Sequence, residues 1–214
     1  MKKENVKLFI SSILAGFAFA IGSAMYLHYS SESVLSAAVI FSGAFLTIKA
    51  FKLNLFTCKA GYLFYTKENY DKNLSSLIIS FLGNLIGVAA IAGMLIGSPI
   101  AEAAEVFMSA KSPIFFPTAL AMSFICGMLM FVASHGYKRL NGGFSGCFIL
   151  TFTSVVFLIL GGEHALLNAF CSIITTEFTA ESGLHFLFSL IGNIFGAIIF
   201  AELYLLQKKE RDEN

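Results

Sequence analysis

Hydrophobic residues run along this chain in long unbroken blocks separated by short polar segments. Six blocks stand out: Val6 to Leu27, Val34 to Thr66 with an interruption, Leu74 to Ile96, Pro113 to Ser134, Phe144 to Thr175 with a second interruption, and Leu184 to Leu206. A helix needs about 20 residues to cross a hydrocarbon core of about 30 Å, and the blocks are long enough. Barrel strands would alternate with period two over about ten residues, whereas Leu77-Ile78-Ile79-Ser80-Phe81-Leu82 and Ala197-Ile198-Ile199-Phe200-Ala201 are continuous. The pattern predicts an all-α membrane protein with six transmembrane helices, the second and fifth broken, in a single domain over residues 1–214. Composition agrees: 57% of residues are hydrophobic and 13% charged, with a mean hydropathy of +0.80, too apolar to keep a soluble surface wet. The first block follows Met1-Lys2-Lys3 but is too long for a secretory signal core and has five blocks behind it, so it is expected to be a retained helix.

Charge placement adds an orientation. Lys2 and Lys3 precede the first block, with Lys7 at its start; Lys67 and Lys72 lie between the second and third; Lys138 and Arg139 between the fourth and fifth; Lys208, Lys209 and Arg211 after the sixth. The other three connections carry only Lys111. Short loops rich in Lys and Arg stay in the cytoplasm, so both termini are expected there, in a multi-pass protein of the plasma or inner membrane. The four cysteines, Cys58, Cys126, Cys147 and Cys171, sit singly in apolar segments and read as small packing residues. No disulfide, metal site or cofactor is expected.

Two glycine-asparagine motifs expose a repeat. Gly83-Asn84-Leu85-Ile86-Gly87 in the third block and Gly192-Asn193-Ile194-Phe195-Gly196 in the sixth lie 109 residues apart, and the same offset carries Asn54 and Leu55 onto Glu163 and His164. Close helix packing through small residues explains each motif alone but not the shared spacing. Halves of three spans each must run in opposite directions, giving inverted repeats over about 6–97 and 113–206.

The interruptions themselves carry the polar chemistry. The first reads Lys49-Ala50-Phe51-Lys52-Leu53-Asn54-Leu55-Phe56-Thr57-Cys58-Lys59, the second Leu160-Gly161-Gly162-Glu163-His164-Ala165-Leu166-Leu167-Asn168. Non-helical backbone at membrane depth is tolerated only when buried in protein or lining a watered cavity. Each break ends at the start of a half-helix whose free N–H groups carry partial positive charge, so two such ends, at Thr57 and His164, are expected to converge and favour anions. His164, ionisable inside the membrane, is the leading site candidate. Glu163 would repel an anion and is expected to brace the loop through backbone donors or a lysine. Lys49 and Lys52 could pair with Glu163, snorkel to the inner surface or touch substrate.

At these residues the sequence resembles the formate/nitrite transporter family. Leu55-Phe56-Thr57 looks like its LFT motif; Gly162-Glu163-His164 with Asn168-Ala169-Phe170 looks like its GFEHxxANMF motif; Gly192-Asn193 to Gly196 resembles its GNxxGG run, and Ala15-Gly16 a small pair in its first helix. The resemblance covers the whole chain, with the motifs in order. It implies a homopentamer of aquaporin-like protomers set in membrane lipid, each with a pore for formate first and nitrite or hydrosulfide as alternatives, with possible proton coupling through the central histidine. It further implies a central pair Thr57 and His164, an outer constriction of Phe41 and Phe157, an inner one of Leu55, Phe56 and Met130, a vestibule lysine Lys111 that concentrates anions, a pore position for Asn193, and supporting roles for Glu163, Asn54, Asn84 and Asn168. Gly127 stands where the family commonly has Asn, which would widen the pore or remove a hydrogen bond; Asn54 replaces an acidic residue and Cys58 a Gly or Ser.

Other classes fit less well. A neutral-solute pore of aquaporin type should carry Asn-Pro-Ala at both breaks, and neither break has it. Gly143-Phe144-Ser145-Gly146 with a downstream histidine hints at an intramembrane serine protease, but a short motif at a helix start is weak support. Two broken helices with ionisable residues are more than a structural scaffold needs. Net charge +1 without a basic patch outside the loops argues against nucleic acid.

Overall fold

A computed structural model describes residues 3–64, 69–111 and 115–212, with side chains described up to residue 208. The expectations that fall on Met1, Lys2, Thr66, Lys67 and Pro113, and on the side chains of Lys209 and Arg211, lie outside the described residues. Among those described, all regular structure is helical: α1 Lys3–Ser30, α2 Val34–Ala50, α3 Thr57–Ala60, α4 Tyr70–Met94, α5 Pro99–Lys111, α6 Phe116–Arg139, α7 Phe144–Ile159, α8 Ala165–Ile174 and α9 Ala180–Asp212.

Four helices, α1, α4, α6 and α9, are long and apolar enough to cross a membrane. The apolar helices α2, α7 and α8 hold 17, 16 and 10 residues; at about 1.5 Å per residue even α2 falls short of a full crossing. The breaks at 51–56 and 160–164 coincide with the two interruptions in the sequence. The first half-helix is shorter than expected, only the four residues of α3. One element was not foreseen: the connection before the fourth block contains α5. Pro99 opens it, as proline does readily at a first helical position, and Ala101, Ala104 and Lys111 form its buried face.

The most extensive contacts join α1 to α4 and α6 to α9, and the short helices sit across these pairs, α3 on α6 and α9, α8 on α4 and α9. Glycines set the closeness of both pairs. A methyl group at Gly16 would overlap the Asn84 carbonyl, and one at Gly87 the Ile13 carbonyl; across the other pair, methyls at Gly127 and Gly196 would overlap the carbonyls of Asn193 and Phe124. Small residues let backbones touch where lipid offers no hydrophobic drive for helix association.

Gly87→Ala is expected to destabilise the detergent-solubilised protein by about 1–3 kcal/mol, since the intruding carbon meets rigid backbone. Gly93→Ala, with open space around the added carbon, is expected to raise stability slightly through helix propensity. Thermal melts of the two variants that shift equally would refute this account of the α1–α4 contact.

Candidate functional site

Breaking a helix inside an apolar bundle strands backbone donors and acceptors, and burying them unpaired is costly. Both breaks solve this in the same way. Helix α2 ends with Phe51, Lys52 and Leu53 donating to the carbonyls of Thr47, Lys49 and Ile48, and α7 ends with Leu160, Gly161 and Gly162 donating to those of Val156, Leu158 and Phe157, each bond displaced by the same 109 residues. The turn needs positive φ, supplied by Lys52 (53°) in the first break and by Gly161 (108°) and Gly162 (61°) in the second. Glycine adopts these values freely, whereas a lysine there is strained.

An asparagine then clamps each break from a long helix. Asn84 of α4 accepts the Phe56 N–H at 2.8 Å and donates to the carbonyls of Asn54 (2.9 Å) and Ser12 (2.7 Å). Asn193 of α9 accepts the Ala165 N–H at 3.0 Å and donates to the carbonyls of Glu163 (3.0 Å) and Ser123 (2.9 Å). The half-helix N–H groups expected to be free are therefore partly taken. Asn193, expected on the pore, is fully engaged with backbone and holds the second break, as Asn84 holds the first.

Between the clamps the two breaks meet. The His164 Nε2 lies 3.3 Å from Thr57 Oγ1, and its Nδ1 accepts the Leu166 N–H at 3.2 Å as the N-cap of α8. A ring nitrogen that accepts an N–H carries no proton, so the hydrogen sits on Nε2 and points at Thr57. Both residues are fully buried. Phe19 stacks on the imidazole with centroids 4.7 Å apart, while Phe157 and Phe56 lie at 5.9 and 6.4 Å. Phe41 and Phe157, the expected outer pair, meet edge to face at 5.7 Å. Phe19 and Phe45 complete that cluster, each in edge-to-face contact with Phe41, and Tyr26 continues it toward Phe107 of α5. The reading of the sequence missed Phe19 and Phe45; their spacing from Tyr26 and Phe41 on one helix face was the available signal.

Lys111, expected in a vestibule, is 4% exposed and turned into the protein. Its Nζ lies 3.3 Å from Glu163 Oε1 and donates to Asn168 Oδ1 (2.9 Å) and the Gly162 carbonyl (3.2 Å). Asn168 and Ser189 in turn donate to Glu163 Oε2, each at 3.0 Å. Glu163 thus braces the second break, and the lysine that pairs with it is Lys111, not Lys49 or Lys52. A buried charge needs such a partner, and α5 exists in the right place to bring one.

On the other side of His164, Leu55, Phe56 and Met130 are all buried. Phe56 packs on Phe81 at 5.1 Å, and Leu55 helps to line a cavity of about 580 Å³ together with Lys49, Lys52, Lys59 and Lys138. Asn54 donates to Ser11 at 2.9 Å. Gly127 does not widen anything at the centre: it packs on the Asn193 backbone, as Gly16 packs on Asn84. Ser145 is in the first turn of α7 and His164 beyond its far end, about 25 Å along at helical rise, so they form no catalytic dyad.

Long apolar helices around two broken ones, whose ends meet at a buried centre, make this an integral membrane protein. The formate/nitrite transporter family model matches residues 1–206, and the chain belongs to that family. The fold is shared with a pentameric formate channel with formate bound, at a TM-score of 0.78 and 17% identity over 100% of this chain and 99% of that one. It is shared also with an ion channel of the FNT family, at a TM-score of 0.80 and 19% identity over 95% and 90%. No curated protein matches the sequence.

Removing one partner of a buried ion pair costs about 3–5 kcal/mol. Lys111→Met is expected to lose stability on that scale, and Lys111→Met with Glu163→Gln to recover more than half of it, read from melting in detergent. Additive losses would remove the pair from its bracing role.

Proposed function

We propose that the chain forms a channel for a small monovalent anion, formate first and nitrite or hydrosulfide as alternatives. The observation that carries the reading is the His164–Thr57 contact, where two helix breaks meet inside a sleeve of phenylalanines. A single transport domain over residues 1–214 would cross the membrane six times, with α2 and α3 making one broken crossing and α7 and α8 another. The matching break bonds and asparagine clamps support two inverted halves. The formate-bound state and pentameric assembly of the structural relative support the substrate class and a homopentamer. Lysine and arginine placement supports cytoplasmic termini.

In this mechanism an anion leaves the lysine-lined cavity, passes Leu55, Phe56 and Met130, and reaches the centre. There the Nε2–H of His164 and the Thr57 hydroxyl replace part of its lost hydration. The aromatic cluster of Phe41, Phe157, Phe19 and Phe45 is the driest stretch. A bare charge crosses it at high cost, and protonation to the neutral acid removes that cost. With Nδ1 held by the Leu166 N–H, His164 acts as a hydrogen-bond donor. A proton accompanying the anion comes from water, since drawing it from the neutral imidazole would leave an anionic ring. Asn193, Asn84, Asn54 and Asn168 hold the breaks rather than the substrate.

Flux of radiolabelled formate or nitrite into proteoliposomes tests the site. His164→Phe and Thr57→Ala are each expected to slow it about ten- to hundredfold, matching about 1.5–3 kcal/mol for a hydrogen bond to a charged group. Unchanged rates and pH dependence in both would sink the assignment.

Truncating the ring that stacks on His164, in Phe19→Ala, is expected to raise formate flux several-fold and to admit larger carboxylates such as lactate. The assay is competition between the two substrates. Unaltered rate and selectivity would place Phe19 outside the path.

A further inference from the structure

The cavity beneath Leu55 holds more positive charge than a conductive path for a monovalent anion needs. Its volume is about 580 Å³, within the ~300–1,000 Å³ of small-molecule sites and large enough for about twenty water molecules. Four lysines line it, from α2, the first break, α3 and α6, and among the described residues no carboxylate does. Lys49 and Lys59 are half-buried and held in place by Ser134 (2.6 Å) and Ser76 (2.8 Å). Lys52 and Lys138 stand exposed at the rim, and Lys138 lies within electrostatic range of both Lys49 and Lys59. Among the described residues no carboxylate pairs with any of these lysines, and the only offset to their mutual repulsion there is the Tyr62 ring, over which Lys138 Nζ lies at 4.6 Å. Lys52 keeps its place there despite a positive φ that glycine would adopt without strain.

We propose that this cavity is a binding site for a soluble multivalent phosphate, either inorganic or a small phosphorylated metabolite, and that its occupant plugs the channel mouth. A monovalent anion would offset one of four charges, whereas two or more negative charges spread over phosphoryl oxygens meet several ammonium groups at once. Conduction requires sites weak enough to leave, and a multivalent anion cannot follow formate through the phenylalanine sleeve. It stays, and blocks. The plugging part rests on the channel reading; the binding part does not. The cavity lies at the face where the chain ends, beside the cleft of Arg139, Tyr204 and Lys208, so the occupant would be drawn from the compartment that holds the termini.

The test is calorimetric titration of pyrophosphate into the full-length protein in uncharged detergent, at fixed ionic strength in chloride. Saturable binding near one per protomer is expected, with affinity reduced at least about tenfold in the double variant Lys52→Gln/Lys138→Gln. Lys72→Gln on α4, outside the cavity, should bind as the parent does. Absence of saturable binding, or equal loss in both variants, would overturn the site. Addition of phosphatidylglycerol distinguishes a lipid headgroup: if it abolishes pyrophosphate binding at equimolar amount, the occupant is lipid and the proposal fails. Formate flux with pyrophosphate on both faces of the vesicle should fall against a chloride control, and unaltered flux despite binding would overturn the plug. A protein that carries no formate at all would still give the calorimetric answer, so the two readings fail separately.

Discussion

The fold turns on hydrogen bonding without water. Two helices stop inside an apolar bundle, and each stop leaves backbone groups that neither lipid nor side-chain packing can satisfy. Asn84 and Asn193 resolve this: one carboxamide takes an N–H of the segment after the break and gives its own hydrogens to two carbonyls. Carboxamides suit the task because they are acceptor and donor in one rigid plane and carry no charge to compensate. The glycines beside them on α4 and α9 bring those helices close enough for the reach. Remove the clamp and the two ends that meet at His164 and Thr57 lose their alignment.

The two breaks differ where charge enters. At equivalent positions the first break has Asn54, satisfied by Ser11, and the second has Glu163, which requires Lys111, Asn168 and Ser189 around it. Helix α5 lies between the two expected repeats; it delivers Lys111 to the second break and Phe107 to the Tyr26 edge of the aromatic cluster. The first break is instead open to a cavity lined by lysines. One break is sealed by an internal ion pair and the other borders lysines that no described carboxylate pairs with, which gives the two sides of His164 different chemistry.

Much of this was legible in the sequence because hydrophobic blocks and breaks are local signals. The 109-residue offset marked the two asparagines and the two breaks together, and the pairing of Thr57 with His164 followed from where the half-helices begin. What escaped depended on three-dimensional proximity. Lys111 reads as an isolated loop cation until α5 folds it inward. Gly127 reads as a missing pore side chain until its carbon is found against the Asn193 backbone, where no side chain fits. Phe19 and Phe45 are two among 24 phenylalanines, and only the stacking on His164 and the contact with Phe41 single them out.

The α1–α4 contact bears on movement as well as on shape. Gly16 sits one turn before Phe19 and touches Asn84, so the stretch of α1 that carries the ring over His164 is locked to α4 by backbone contact. Close-packed backbones of this kind do not slide by fractions of an ångström without breaking many contacts together. Widening at the phenylalanine cluster therefore falls to rotation of the rings themselves rather than to sliding of α1 along α4. On the channel reading proposed above, the backbone is then a fixed frame, and the width at this point is set by four rings.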